Sequence, residues 1–73
     1  MTDQEIKAKM TTLTESEQRM IDREAAWIRN YNASYFFQVT GLHANDNSDN
    51  SYWGSKGLAM LDLGVITSNE FFD

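Results

Sequence analysis

The feature that most constrains the fold is the stretch Glu15–Gly41, which reads ESEQRMIDREAAWIRNYNASYFFQVTG. Thr14 lies three residues before Glu17, which is the spacing of a capping box: the threonine hydroxyl and the glutamate carboxylate each accept one backbone N–H. At the other end, Gly41 can adopt the left-handed conformation that ends a helix. We therefore predict one long helix over 15–40, which would be roughly 39 Å long at about 1.5 Å per residue.

The apolar side chains of this predicted helix form an unusually wide arc. At about 100° per residue they cover about half of the circumference. Such an arc is wider than one neighbouring helix covers, so we expect the rest of the chain, or a second subunit, to pack on both sides of it. Glu24 and Gln38 interrupt the arc, and Phe37 lies on the polar face. The arc consists of Met20, Ile21, Ala25, Trp27, Ile28, Tyr31, Tyr35, Phe36 and Val39.

The remaining segments predict short helices around the long one. Thr2 and Glu5 repeat the capping-box spacing before a first helix over 3–10. The run 44–51 is polar and rich in turn-forming residues, so we expect an exposed loop there. Ser55 then caps a predicted third helix over 56–63, and Gly64 ends it. A third capping-box spacing at 67–70 opens a terminal turn, so the prediction is a single all-α domain over 1–73, a small helical fold built on one central helix.

Charge and composition limit the classes of partner. The net charge of −5 disfavours direct binding to nucleic acid and to anionic membrane surfaces. The chain has no cysteine, which small secreted domains usually need for disulfides, so we expect a cytoplasmic protein. No apolar run is long enough to cross a bilayer, and the N-terminal residues lack the apolar core of a signal peptide.

No motif in the sequence indicates an enzyme, a metal site or a cofactor site. His43 is the only histidine, and at the end of the predicted helix it is more typical of a bond to a free carbonyl than of a catalytic base. The run 45–50, NDNSDN, resembles a calcium loop in composition, but neither Asn45 nor Asp46 as the first position places glycine sixth and glutamate twelfth. We expect a solvated loop, no cofactor and no catalysis.

Glu24 is the most informative single residue because a carboxylate inside an apolar arc needs a partner or access to water. Lys7, Lys9 or a tyrosine hydroxyl is a candidate partner within the chain. The plainer interpretation is that Glu24 lies near the start of the helix, where cover is thin. The alternative is that Glu24 belongs to a face that binds another protein.

We therefore predict a small acidic protein-interaction module that binds a larger protein or protein complex and modulates or inhibits it. Small viral or mobile-element inhibitors of host machinery have this general size and composition, which is an analogy and not a motif match. Two alternatives remain open: a helical protein that assembles with its own copies through the aromatic helix, and an acidic mimic of nucleic acid. The candidate partner-binding residues are Glu24, Phe37, Asp46, Asp49, Phe71 and Phe72.

Overall fold

The computed structural model describes all residues from 1 to 73 and contains five helices and no strand, which confirms the predicted all-α class. The longest helix, α2, is flanked by shorter ones. The helices are α1 (Asp3–Thr11), α2 (Glu15–Tyr31), α3 (Ala33–Thr40), α4 (Asp49–Asp62) and α5 (Ser68–Phe72).

The predicted helix ends are confirmed where they depend on local capping. Thr2, Thr14 and Thr67 each begin a capping box with the glutamate three residues later. In the Thr14 box the hydroxyl accepts the Glu17 N–H at 3.2 Å, and the Glu17 carboxylate accepts the Thr14 N–H at 2.9 Å. Gly41 and Gly64 both have positive φ angles, 74° and 75°, as expected for glycines that end helices.

The stretch predicted as one helix over 15–40 is divided at Asn32 into α2 and α3. Asn32 has φ −140° and ψ 40°, outside the helical region, although its N–H still donates to the Ile28 carbonyl at 3.0 Å. Asparagine is a weak helix former. The Cα atoms of the whole chain extend only 28 Å along the longest axis, so an unbroken helix of about 39 Å would project beyond the core.

The fourth helix begins earlier than predicted, at Asp49 instead of residue 56. Ser48, and not Ser55, is its N-cap, and the Ser48 hydroxyl accepts the Ser51 N–H at 3.2 Å. The loop therefore occupies 41–48, and residues 49–51 of the predicted loop form the first turn of α4. Ser51 is buried there, and its hydroxyl donates to the His43 carbonyl at 2.7 Å.

The core is centred on α4, which packs against each of the other four helices. Every residue from Ser55 to Met60 is buried, so this segment is covered all round. Gly54 and Gly57 allow the neighbouring elements to approach the α4 backbone closely. Leu42 and Phe36 approach at Gly54, and Ile6 and Phe71 approach at Gly57. The buried apolar residues are Ile6, Met10, Ile21, Ala25, Ile28, Phe36, Leu58, Ala59, Met60 and Ile66.

Candidate interaction surface

The apolar arc of α2 is only partly covered by the rest of the chain. Ile21, Ala25 and Ile28 are buried, whereas Met20, Trp27 and Tyr31 are exposed by 52%, 48% and 78%. Together with Glu24 these three residues have the spacing i, i+4, i+7, i+11, so all four lie within about 60° of one another around the helix. We call this set, Met20, Glu24, Trp27 and Tyr31, the α2 stripe.

A shallow apolar groove adjoins the stripe at Met20. It has a volume of about 250 Å³ and lies between the start of α2 and the segment that follows α4. Leu63 is itself exposed by 39%, so the groove extends the apolar surface from α2 towards the end of α4. We call it the Met20 groove; Glu17, Met20, Ile21, Leu63 and Val65 line it.

Glu24 is half-buried within the stripe and has no cationic partner in the chain. The two ion pairs of the protein join Arg19 to Glu15 and Lys56 to Asp22. Lys7 instead places its ammonium group 5.3 Å from the centre of the Trp53 ring. None of the candidate partners named from the sequence, Lys7, Lys9 and a tyrosine hydroxyl, bonds the Glu24 carboxylate.

Further carboxylates border the stripe and the groove. Glu17 lies two turns before Glu24 on the same side of α2 and lines the groove. The backbone and hydroxyl hydrogen bonds of Thr14 lower the pKa of the Glu17 carboxyl below its ordinary value of 4.5. Asp62 precedes Leu63 and accepts the Tyr35 hydroxyl at 3.0 Å. Two cations lie nearby: Arg23 is exposed and borders the stripe on the side of Trp27, and Lys9 lies near enough to Glu17 to lower the pKa of its carboxyl further.

A second surface feature is polar and lies beside Phe37. The Phe37 and His43 rings stack with their centres 4.7 Å apart, and both line an open groove of about 600 Å³. Arg29 lines this groove as well; its guanidinium donates to the Ser55 hydroxyl at 2.5 Å and lies over the Tyr52 ring. Phe37 thus contacts His43, a residue of the loop that follows α3.

The other candidate residues predicted from the sequence lie on the loop, on α4 and on α5, where the Phe71 and Phe72 rings meet edge to face with their centres 5.0 Å apart. Asp46 is exposed in the loop and accepts the Ser48 N–H, and Asp49 is exposed in the first turn of α4. Phe71 is half-buried against the core, whereas Phe72 is exposed by 63%. No two of the six residues predicted as partner-binding line the same groove.

The sequence prediction therefore did not group the four residues of the α2 stripe as one surface, although their helical spacing is present in the sequence. The sequence prediction places Trp27 and Tyr31 in the apolar arc that the chain or a second subunit covers, and it names only Glu24 from this face as partner-binding. The spacing of Met20, Glu24, Trp27 and Tyr31 is visible in the sequence, but which side of the arc α4 covers depends on the tertiary packing.

Lys56, the only lysine or arginine after residue 42, is bound within the fold. It is buried, pairs with Asp22 and places its ammonium group 4.7 Å from the Tyr52 ring centre and 5.6 Å from that of Trp53. Each polar feature of this cluster is already paired within the chain, so the cluster joins α2 to α4 and offers no free group to a ligand.

The chain contains no group of three or more histidine, cysteine, aspartate or glutamate side chains placed to hold a metal ion. None of the five helices combines the length and apolar character that crossing a bilayer requires. Comparison with known proteins gives no match to a family model, to a curated protein or to a solved structure. The surfaces described above are therefore the basis for any inference about function.

Proposed function

We propose that this protein is an interaction module that binds a larger protein through the α2 stripe and the Met20 groove. The observation that supports the proposal is the exposure of Met20, Trp27 and Tyr31 on one face of one helix, beside a groove that includes Leu63. Contiguous exposed apolar surface is typical of interaction sites, and tryptophan and tyrosine are enriched among the residues that dominate binding energy.

An interaction of this kind inhibits or modulates the partner when the covered patch is one that the partner uses for another contact. A compact chain that covers one patch of a larger protein blocks whatever else that patch contacts. The cytoplasmic location and the viral or mobile-element origin remain predictions from composition and size. Assembly with a second copy through the same stripe is the competing function, because it would cover the same apolar side chains.

Affinity capture with matched variants tests the proposal. The tagged protein, the double variant Trp27→Ala/Tyr31→Ala and the control Phe72→Ala are each used to capture partners from the cell of origin. Phe72 is an exposed aromatic residue on α5, away from the stripe and among the residues first predicted from the sequence. Each variant is checked by circular dichroism for unchanged helix content.

We expect a stoichiometric partner that the stripe variant loses and the Phe72→Ala control retains. Truncation of an interface tryptophan or tyrosine that carries binding energy costs about 2 kcal/mol or more, which is roughly a thirtyfold loss of affinity. Retention of the partner by the double variant would contradict the proposal, and loss on Phe72→Ala alone would move the site to α5. Sedimentation of the protein alone separates a foreign partner from self-assembly.

A further inference from the structure

We infer that the partner of the α2 stripe is a basic amphipathic segment of another protein, with an arginine or lysine beside a large apolar side chain. The apolar side chain fits the Met20 groove, and the cation pairs with Glu24. This inference rests on the proposed function, since it specifies the chemistry of the partner that the same surface binds.

The position of Glu24 determines what a partner must supply. Glu24 lies between Met20 and Trp27 along the stripe, so any segment that covers these apolar side chains also removes the Glu24 carboxylate from water. A carboxylate that loses its water without gaining a charged or hydrogen-bonding partner costs several kcal/mol. The chain itself provides no cation, because its ion pairs involve other carboxylates. The partner therefore has to supply a cation or a hydrogen-bond donor, and the negative net charge of the chain favours a cation.

The surroundings of Glu24 favour arginine as that cation. Trp27 and Tyr31 lie three and seven residues beyond Glu24 on the same face, and both rings are exposed. A guanidinium group can bond a carboxylate through two N–H groups and also lie over an aromatic ring. One arginine placed beside Glu24 can therefore satisfy the carboxylate and contact a ring of the stripe.

The charge around the groove agrees with a basic partner. Glu17 lines the groove, and Asp62 precedes Leu63 at its other side. With Glu24 this gives three carboxylates on and around this surface against two cations, Lys9 near Glu17 and Arg23 at the other border, and Glu24 itself has no ion pair. The whole chain has a net charge of −5, which attracts a basic segment and steers its approach.

A second copy of the chain fits this surface less well. In a two-fold dimer the same patch meets itself, so two acidic patches would face each other. Glu24 would then have to pair with Arg23 or Lys9 of the other copy, but Arg23 lies about 100° around the helix from Glu24, and Lys9 lies near Glu17. Charge complementarity therefore favours a foreign basic segment over self-pairing.

A random-peptide display library tests the inference without knowledge of the natural partner. The library is selected against the wild-type protein, and the enriched peptides are synthesised and measured against three variants. Glu24→Gln removes the charge and keeps the shape, and Trp27→Ala removes the apolar anchor. Glu15→Gln is the matched control, because Glu15 is an exposed glutamate on the opposite face of the same helix.

We expect enriched peptides in which arginine or lysine accompanies a large apolar residue. Their affinity should fall by about tenfold or more on Glu24→Gln, as for a close interfacial charge pair, and should be lost on Trp27→Ala. Glu15→Gln should change it less than about twofold, as for an exposed charge away from the interface. Added salt should weaken binding to the wild type more than binding to Glu24→Gln.

Other outcomes separate this inference from the proposed function. Peptides that depend on Trp27 but lack basic residues and tolerate Glu24→Gln would overturn the basic partner and leave the stripe as the binding site. A selection that yields no peptide dependent on Trp27 would overturn both. A dimer in sedimentation that dissociates on Trp27→Ala would replace the foreign segment with a second copy.

Discussion

Replacing Gly57 with alanine should destabilise the protein, although alanine is the better helix former. Gly57 lies in the interior of α4, where α1 and α5 cross the helix. A Cβ atom at this position would lie 2.7 Å from the Ile6 Cδ1 atom, 3.0 Å from the edge of the Phe71 ring and 3.3 Å from the Ile6 Cγ1 atom. These contacts are too short, so Ile6 and Phe71 would have to shift.

Two opposing terms determine the size of the effect. Glycine to alanine in a helix interior stabilises by about 0.8–1.0 kcal/mol. Overpacking of a well-packed core costs typically about 1–3 kcal/mol. Because Ile6 is buried and Phe71 packs on the core, the second term should dominate, and we expect a net loss of about 1 kcal/mol.

Gly54 provides the matched control one turn earlier in the same helix. A Cβ atom there would meet the Leu42 Cδ1 methyl at 2.8 Å, whereas the Phe36 ring atoms are at an ordinary 3.7 Å. Leu42 is only half-buried, so its terminal methyl can rotate away. Gly54→Ala should therefore keep most of the propensity gain and stabilise the protein by about 0.5–1 kcal/mol.

Urea unfolding followed by circular dichroism measures both variants. The expected difference of about 1.5–2 kcal/mol corresponds to roughly 6–16 °C in melting temperature for a domain of this size. A double variant, Gly57→Ala/Ile6→Val, removes the Cδ1 methyl that the new Cβ meets, so it should be more stable than the sum of the single effects. The packing argument is refuted if Gly57→Ala is as stable as Gly54→Ala.

Three further predictions concern charged groups. Asp22→Asn should lower the free energy of unfolding in urea by about 1–2 kcal/mol, because it leaves the buried Lys56 ammonium without its ion pair. The loss is smaller than for a fully buried ion pair because Asp22 is half exposed. Lys56→Met should be near neutral. Burial raises the pKa of Tyr35 above its ordinary value of 10.0, and the hydrogen bond to Asp62 raises it further. The folded protein is therefore less stable as the pH rises above 10.0. Thermal melting of Tyr35→Phe should show a smaller loss of stability over that range. The stabilising effect of the carboxylates whose pKa is lowered is fully present above pH 4.5 and is lost as the pH falls through their lower folded pKa values. Helix content measured by circular dichroism should decrease over the same pH range. A helix content that stays constant below pH 4.5 would contradict this. These carboxylates are Glu5, Glu17 and Glu70.

The features that the sequence predicted correctly are local ones. Each capping box depends on two residues three apart, and each glycine stop depends on one residue and its immediate neighbours. Thr14 with Glu17 and the glycines at 41 and 64 therefore form as expected. The interruption at Asn32 was missed because a single weak helix former inside a favourable pattern does not by itself break a helix.

The start of α4 was missed for a related reason. Its first residues, DNSYWGSKG, contain two glycines and several turn-forming residues, so their propensity favours a loop. The tertiary structure outweighs that propensity, since Gly54 and Gly57 are the positions where other elements approach the helix. Ser51 and Ser55 can be buried because their hydroxyls donate to the carbonyls of His43 and Tyr52. The sequence does not indicate the contacts that Ile6, Phe36, Leu42 and Phe71 make with α4 at the two glycines.

At the candidate site, too, the sequence predicted a local property of one helix but not its tertiary contacts. The sequence correctly indicated that the apolar arc of α2 is wider than one helix covers, and α4 covers only its Ile21, Ala25 and Ile28 side. Tyr31, which is 78% exposed, therefore contributes little to the core, and its truncation should change stability by no more than about 0.5 kcal/mol, whereas truncation of Trp27, which is 48% exposed, should cost more. The exposed part of each ring adds little to folding stability, so packing within the chain does not account for the position of both rings on one face of α2.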